Sequence, residues 1–341
     1  MDVLRRHHSP RLRRAVVRFG VAAAVVAALV YGVGWERVTE HLAATDASLF
    51  LPAVAASLVG MVVGAEGLRV AIGVSRGSPD VWLARYAALA GTFLRSVLPA
   101  GGVGKGAFVA YTVGRGGTTS ASRAVAGVAS WEALNVLASA TVAAAGLVGV
   151  LAAGRDAGTA PVVVGAFGGV LVAAVVAGGL VARHRTVVVD LVLWAARVDR
   201  LLPGVDSSLD RERVRAALDA FLGNVGALAR DQRRLAVAVA AAHASWLLAV
   251  LALYLCLHAV DLPVAPSVAL VALPLAGFAR AVPVPGGLGP MDAALGGIVA
   301  VLTGHSLGAL ASALVLFRVA TYGTRVVVGG AALWRLDVAL R

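Results

Sequence analysis

A single cysteine, Cys256, leaves the chain no disulfide framework and no cysteine-built zinc site. Charge is scarce too. Only 14% of the 341 residues are charged, with 18 Asp and Glu against 30 Lys and Arg, and Lys105 is the only lysine. A soluble domain carries about 25% charged and about 45–50% apolar residues. Here 60% are hydrophobic and the mean hydropathy is +0.87, which excludes both a soluble globular protein and a disordered chain. The seven histidines show no H-E-x-x-H spacing. Gly101–Gly106 lacks the G-x-x-x-x-G-K-[ST] of a nucleotide phosphate loop. No metal, cofactor or catalytic residue is expected.

What the chain does hold is apolar sequence punctuated by arginine and glycine. A membrane-spanning helix needs about 20 mostly apolar residues. Full spans are predicted near 19–34, 47–64, 124–151, 162–181, 235–258 and 307–333. Residues 1–18 are basic, with Arg5, Arg6, Arg11, Arg13, Arg14 and Arg18. A signal peptide also starts this way, but no small-residue cleavage site precedes a polar mature domain. The basic start places the N-terminus in the cytoplasm. The outside loops then hold Glu36, Glu40, Asp46, Asp156 and Asp261 against Arg37 and Arg155. Nearly every other arginine falls on the cytoplasmic side or within the bilayer, so most of the +12 net charge is topological. Nucleic acid is not an expected partner.

Two further apolar stretches, 86–111 and 268–303, are broken in the middle by Pro and Gly. A single crossing by either would invert the positive-inside pattern of the later loops. A pair of full spans in each preserves the pattern but leaves halves as short as Ala87–Leu98. The reading adopted is a re-entrant hairpin in each. The expected fold is an all-α polytopic membrane protein with about six full spans plus two re-entrant helical hairpins, about eight if hairpins count as spans. A first membrane half (19–182) and a second (235–341) flank a polar linker at 183–234, and the C-terminus is cytoplasmic. In the linker, Val214, Leu218, Phe221, Val225 and Leu228 recur on one helical face, and Ser207 with Asp210 has a capping spacing. A cytoplasmic or interfacial helix, lying on lipid or on the protein, follows.

The two broken stretches match each other. Arg95-Ser-Val-Leu-Pro99-Ala-Gly101-Gly102-Val-Gly104 and Arg280-Ala-Val-Pro-Val-Pro285-Gly286-Gly287-Leu-Gly289 both read R-x5-G-G-x-G. Glycine admits backbone angles closed to other residues, and proline ends a helix. Unpaired backbone groups at membrane depth survive only where protein buries them or water reaches them. The first hairpin enters from inside and the second from outside. This is an inverted repeat, and transporter sites lie at the interface of such repeats. The alternative is that the glycines only let helices pack closely, as Gly60-x-x-x-Gly64 does.

Arg95, Lys105, Glu132, Arg280, Asp292 and Arg318 stand in apolar surroundings. A charge at the bilayer centre costs at least about 2.5–3.5 kcal/mol. Such groups are paired, face a polar cavity, or snorkel to an interface. Asp292 is a partner for Arg318 or Arg280, and Glu132 is a candidate for an ion pair. Four cations against two anions suit an anionic headgroup, phosphate or carboxylate. The candidate substrate-binding set is Arg95, Pro99, Gly101, Gly102, Gly104, Lys105, Arg280, Pro285, Gly286, Gly287, Gly289, Asp292 and Arg318.

At these residues the chain resembles the lysylphosphatidylglycerol synthase transmembrane-region family, also called flippase-like domain proteins. The resemblance rests on Leu98–Gly104 and Pro283–Ala294, with Ser130-Trp131-Glu132, Arg318 and Tyr322 in support, and covers about residues 15–335. There are departures. Asp292 stands where the family often has Glu, and Ala133 and Asn135 replace an Arg and an Asp near Glu132. The family's best-understood members carry a soluble synthase domain that makes aminoacylated phospholipid, and a membrane part that moves it between leaflets. This chain ends at Arg341 just after its last span, so the resemblance implies a stand-alone translocator in the cell membrane that performs no aminoacyl transfer.

The function expected is translocation of a phospholipid or polyprenyl-linked lipid with an anionic headgroup. Membrane lipid is the partner; a second copy of the chain and a separate lipid-modifying enzyme remain open. The alternatives are a secondary transporter of a small anion and a membrane enzyme acting on lipid phosphate through Glu132 and Asp292. An inert scaffold is a further one.

Overall fold

The computed structural model describes residues 45–73, 80–98, 101–116, 120–153, 211–282 and 284–339, with 165 and 169 singly. The spans predicted at 19–34 and 162–181, Pro99, and the linker before 211 (Ser207 and Asp210 included) lie outside the described residues. The chain divides into two units, Met1–Thr45 and Asp46–Arg341; everything below concerns the second.

Among the described residues the structure is helical, without a strand. The helices are α1 (Ala47–Ile72), α2 (Val81–Val97), α3 (Gly101–Arg115), α4 (Ala121–Ala152), α5 (Arg211–Arg230), α6 (Gln232–His258), α7 (Pro266–Ala276), α8 (Pro290–Thr303), α9 (Leu307–Arg318) and α10 (Thr324–Ala339). Two 3-10 turns, Gly277–Ala281 and Pro285–Gly287, separate α7 from α8, and a π-turn at Val319–Gly323 joins α9 to α10. Among the described residues, five helical segments are long and apolar enough to cross a membrane: 47–72, 122–152, 232–258, 285–303 and 307–336. This is an all-α polytopic membrane protein.

Polar side chains set where the helices begin. The Asp46 carboxylate accepts from the Ser48 N–H at 2.8 Å, Asp80 from Leu83 at 2.8 Å, Asp231 from Arg234 at 3.1 Å, and the Ser306 hydroxyl from Ala309 at 3.3 Å. The Asp80 cap explains why α2 starts before the apolar run does. The sequence-derived half began at Ala87, whereas the helix takes in Trp82, Arg85 and Tyr86. Gly304, at φ 78°, closes α8 in the left-handed conformation that suits glycine.

The helices run antiparallel through small-residue contacts. The Asp46 N–H donates to the Ala259 carbonyl at 3.1 Å, and the Arg234 guanidinium donates to the Gly73 carbonyl at the other end. α1 and α6 therefore lie side by side in opposite directions. A Cβ on Gly60 would stand 3.2 Å from the Leu248 Cβ, so the Gly60-x-x-x-Gly64 face lets α6 approach closely. Gly127 lies against Ile72 and Gly146 against Leu270, so α4 starts beside the end of α1 and finishes beside the start of α7.

Each broken stretch folds as two helices joined at a break. Gly116, after α3, lies against Leu83 at the start of α2. Arg85 near the start of α2 pairs with Glu66 in the last two turns of α1 at 2.8 Å, so both ends of the α2–α3 pair are at the Ile72 end of α1. α7 begins at the opposite end, beside Gly149 of α4. The two breaks meet. The Tyr322 hydroxyl donates to the Ser96 carbonyl at 3.2 Å, and a Cβ on Gly286 would fall 3.1 Å from that same oxygen.

α5 corrects one expectation. Val214 and Leu228 are buried and Leu218 and Phe221 partly so, but Val225 is exposed. Asn224 turns inward instead and donates to the Ala71 carbonyl at 3.3 Å and to the Ser130 hydroxyl at 2.9 Å. The Ala71 carbonyl in the last turn of α1 and the Ser130 hydroxyl within α4 are partners that valine cannot use, so α5 packs on the protein through Asn224.

Candidate functional site

The interior of the bundle holds a cavity of about 490 Å3 where the two broken stretches meet. Arg95 reaches it from the last turn of α2, Lys105 from α3 and Glu132 from α4. Arg280 comes from the 3-10 turn after α7, Arg318 from the end of α9, and Arg325 from the start of α10. Trp131, Trp246, Asn135, Ser57, Thr92 and Thr321 are among the polar and aromatic residues of its wall.

Two of the cations are paired. Lys105 Nζ donates to Glu132 Oε1 at 3.0 Å. Arg318 Nε donates to Asp292 Oδ1 at 2.6 Å, and its two terminal nitrogens donate to the Gly286 and Gly287 carbonyls at 3.2 Å each. Arg318 thereby clasps the second break. Asp292 has a further duty: its Oδ2 accepts from the Gly289 N–H at 2.9 Å, which ties the residue before α8 to the helix's first turn. Gly289 (φ 87°) and Gly286 (φ 61°) adopt left-handed backbone angles that the clasp requires.

The other three cations, Arg95, Arg280 and Arg325, have no acidic partner within salt-bridge distance among the described residues. Arg280 Nε donates to the Met291 sulfur at 3.3 Å, which leaves both terminal nitrogens available. Arg95, Arg318 and Arg325 are near enough to act on Arg280 electrostatically, and Arg95 and Arg325 act on Lys105. Like charges gathered in an apolar bundle are held apart from bulk water at a cost. An anion placed among them relieves it.

The structure therefore sorts the predicted residues into two groups. Arg95, Lys105, Arg280, Arg318 and Glu132 line the cavity together. Gly101, Gly102, Gly104, Pro285, Gly286, Gly287, Gly289 and Asp292 do not line it. They shape the two breaks that carry the cations. The doublets are not equivalent internally either: a Cβ on Gly101 would lie 2.3 Å from the Arg95 carbonyl oxygen, whereas one on Gly102 would meet nothing within 4 Å.

Arg325 was missed. The signal was available, because it lies seven residues after Arg318 in the same apolar stretch, and an arginine there needs the same explanation. The π-turn between them is a kind of distortion often found at functional sites. Trp131 was visible in sequence only as part of the Ser130-Trp131-Glu132 string that supports the resemblance, not as a residue of the site. Its ring packs so closely on Gly67 that a Cβ there would lie 2.3 Å away, a long-range fit that no local pattern encodes. One Gly-x-Ser-x-Gly string does occur, Gly73–Gly77, but Gly73 closes a helix where a nucleophile elbow needs a strand.

No metal-binding group of His, Cys, Asp or Glu occurs among the described residues. A comparison with curated proteins finds no match. The family described as Lysylphosphatidylglycerol synthase TM region matches residues 15–329, most of the chain. The inverted R-x5-G-G-x-G pair and the cation-lined cavity between its two arms thus belong to a member of the lysylphosphatidylglycerol synthase transmembrane-region family.

Proposed function

We propose that this protein moves a lipid with an anionic headgroup between the leaflets of the cell membrane, with the headgroup passing through the cavity and the tails remaining in lipid. The observation that carries the reading is the set of three guanidinium groups, Arg95, Arg280 and Arg325, that face one cavity without acidic partners among the described residues. They come from both broken stretches and from α10, so an anion bound between them bridges parts of the bundle that are far apart in sequence. Relative motion of those parts would carry the headgroup across. The cytoplasmic side is taken as the Ile72 end of α1, where Arg69, Arg85, Arg233 and Arg234 gather.

The acid–base chemistry of a lipid-phosphate enzyme is the less favoured reading, because Glu132 and Asp292 are each held by a cation. Transport of a small free anion draws on the same cations. Reconstitution separates the two. Liposomes holding the protein should speed exchange of a fluorescent anionic lipid between leaflets, and Arg95→Gln with Arg280→Gln should abolish the gain. No acceleration over empty liposomes, with uptake of a small anion instead, would reject lipid translocation.

A further inference from the structure

The charge in the cavity says more than that the headgroup is an anion. Among the described residues, Arg318 is matched by Asp292 and Lys105 by Glu132, which leaves Arg95, Arg280 and Arg325 as three positive charges in excess on one cavity. A phosphodiester headgroup such as that of phosphatidylglycerol carries one negative charge and two unesterified oxygens. A lysyl ester on it adds ammonium groups and makes the whole headgroup cationic. A phosphomonoester carries about −1.5 to −2 at neutral pH and offers three acceptor oxygens. Guanidinium groups bind such oxygens in forked pairs. Three guanidiniums and three oxygens match in number, and a doubly ionised group offsets more of the excess charge than a singly charged phosphodiester does.

We infer that the cavity selects a doubly ionised phosphomonoester, borne on a lipid tail or free, over a phosphodiester or an aminoacylated headgroup. This rests on the proposed binding of an anionic headgroup and names its class. The substrate would then differ from the aminoacylated lipid that the family's description suggests. Four arginines and Lys105 would repel a lysyl headgroup, and Glu132 and Asp292 are already held by Lys105 and Arg318.

The ligand's own ionisation supplies a signature. The second proton of a phosphomonoester leaves near about pH 6, so binding strengthens from pH 5 to pH 8. Among the described residues, the charged groups that face the ligand are Arg95 on α2, Lys105 on α3, Glu132 on α4, Arg280 after α7, Arg318 on α9 and Arg325 on α10. No histidine among the described residues lines the cavity. A phosphodiester has no proton to lose in this range, and any titration of the protein would appear with it equally.

Trp131 and Trp246 on the wall give a readout of occupancy that does not depend on transport. The detergent-solubilised full chain is titrated with dioleoyl phosphatidate, dioleoyl phosphatidylglycerol, lysyl-phosphatidylglycerol and inorganic phosphate, following tryptophan fluorescence. Phosphatidate should bind about tenfold or more tighter than phosphatidylglycerol at pH 8, and most of that advantage should vanish at pH 5. Arg325→Gln should bring phosphatidate close to phosphatidylglycerol. Arg95→Gln serves in its place if that variant does not fold. Inorganic phosphate binding as tightly as phosphatidate, with the same pH dependence, would support the chemistry and assign it to a free anion. Equal or tighter binding of phosphatidylglycerol or its lysyl ester at pH 8, or a phosphatidate affinity independent of pH, overturns the inference. Scrambling without this preference leaves translocation standing and rejects the selectivity. The preference without scrambling does the reverse.

Discussion

Gly101 and Gly102 are neighbours in a doublet, and the structure gives substitutions at them opposite signs. In Gly101→Ala the new methyl would lie 2.3 Å from the Arg95 carbonyl oxygen and 2.7 Å from its Cα. Both atoms are backbone, so no rotamer change relieves the contact; the end of α2 must move away from the start of α3. Overpacking costs about 1–3 kcal/mol when side chains absorb it, and a clash with backbone puts Gly101→Ala at the upper end, about 3 kcal/mol. In Gly102→Ala the methyl meets nothing within 4 Å. That substitution removes glycine's entropy cost in a helix, a gain of up to about 0.5–1 kcal/mol. Thermal unfolding of the two variants in the same detergent measures the difference. Gly101→Ala should melt clearly below the parent and Gly102→Ala level with or above it. Because the clash falls on the residue that bears the Arg95 guanidinium, Gly101→Ala should also weaken lipid-phosphate binding while Gly102→Ala leaves it intact. Equal destabilisation by both would refute the reasoning, since it would mean the doublet acts as a unit and the close approach to Arg95 is not what fixes it.

Other outcomes follow from the pairings. Asp292→Ala removes the partner of Arg318 and the acceptor of the Gly289 N–H together, and with side chains 13% and 27% exposed the loss should be about 2–3 kcal/mol; Asp292→Glu should recover most of it in the same melting assay. Lys105→Met leaves Glu132 facing the cavity without its lysine, and adding Glu132→Gln should restore stability, a coupling that a double-mutant cycle reads directly. Asn224→Ala should cost about 1–3 kcal/mol by stripping the Ser130 hydroxyl and Ala71 carbonyl of their donor, and should speed proteolysis within α5; Val225→Ala, on the exposed face, should do neither.

The chain's membrane character and most of its described helices were legible from sequence because their causes are local. A bilayer imposes a fixed apolar length on each span, so α1, α4, α6 and the α9–α10 stretch show as runs that need no partner to recognise. Proline and glycine break a helix through their own backbone chemistry, so both breaks were visible as well. Arg95 and Arg280 drew notice because an arginine is costly wherever the surrounding sequence is apolar. Tertiary structure alone decided how these pieces combine. Lys105 meets Glu132, and Arg318 meets Asp292 rather than Arg280 doing so. Those choices depend on which helices cross at which depth. Residues 224 and 225 sit about 100° apart on a helix, and only the Ala71 carbonyl and Ser130 hydroxyl determine that the asparagine is the one turned inward. Gly101 and Gly102 look alike in one dimension, and the Arg95 carbonyl distinguishes them in three. Most of all, sequence shows that charges lie in apolar surroundings but not that five cations share one cavity, because that is a property of surfaces from five helical elements that become neighbours only when the bundle closes.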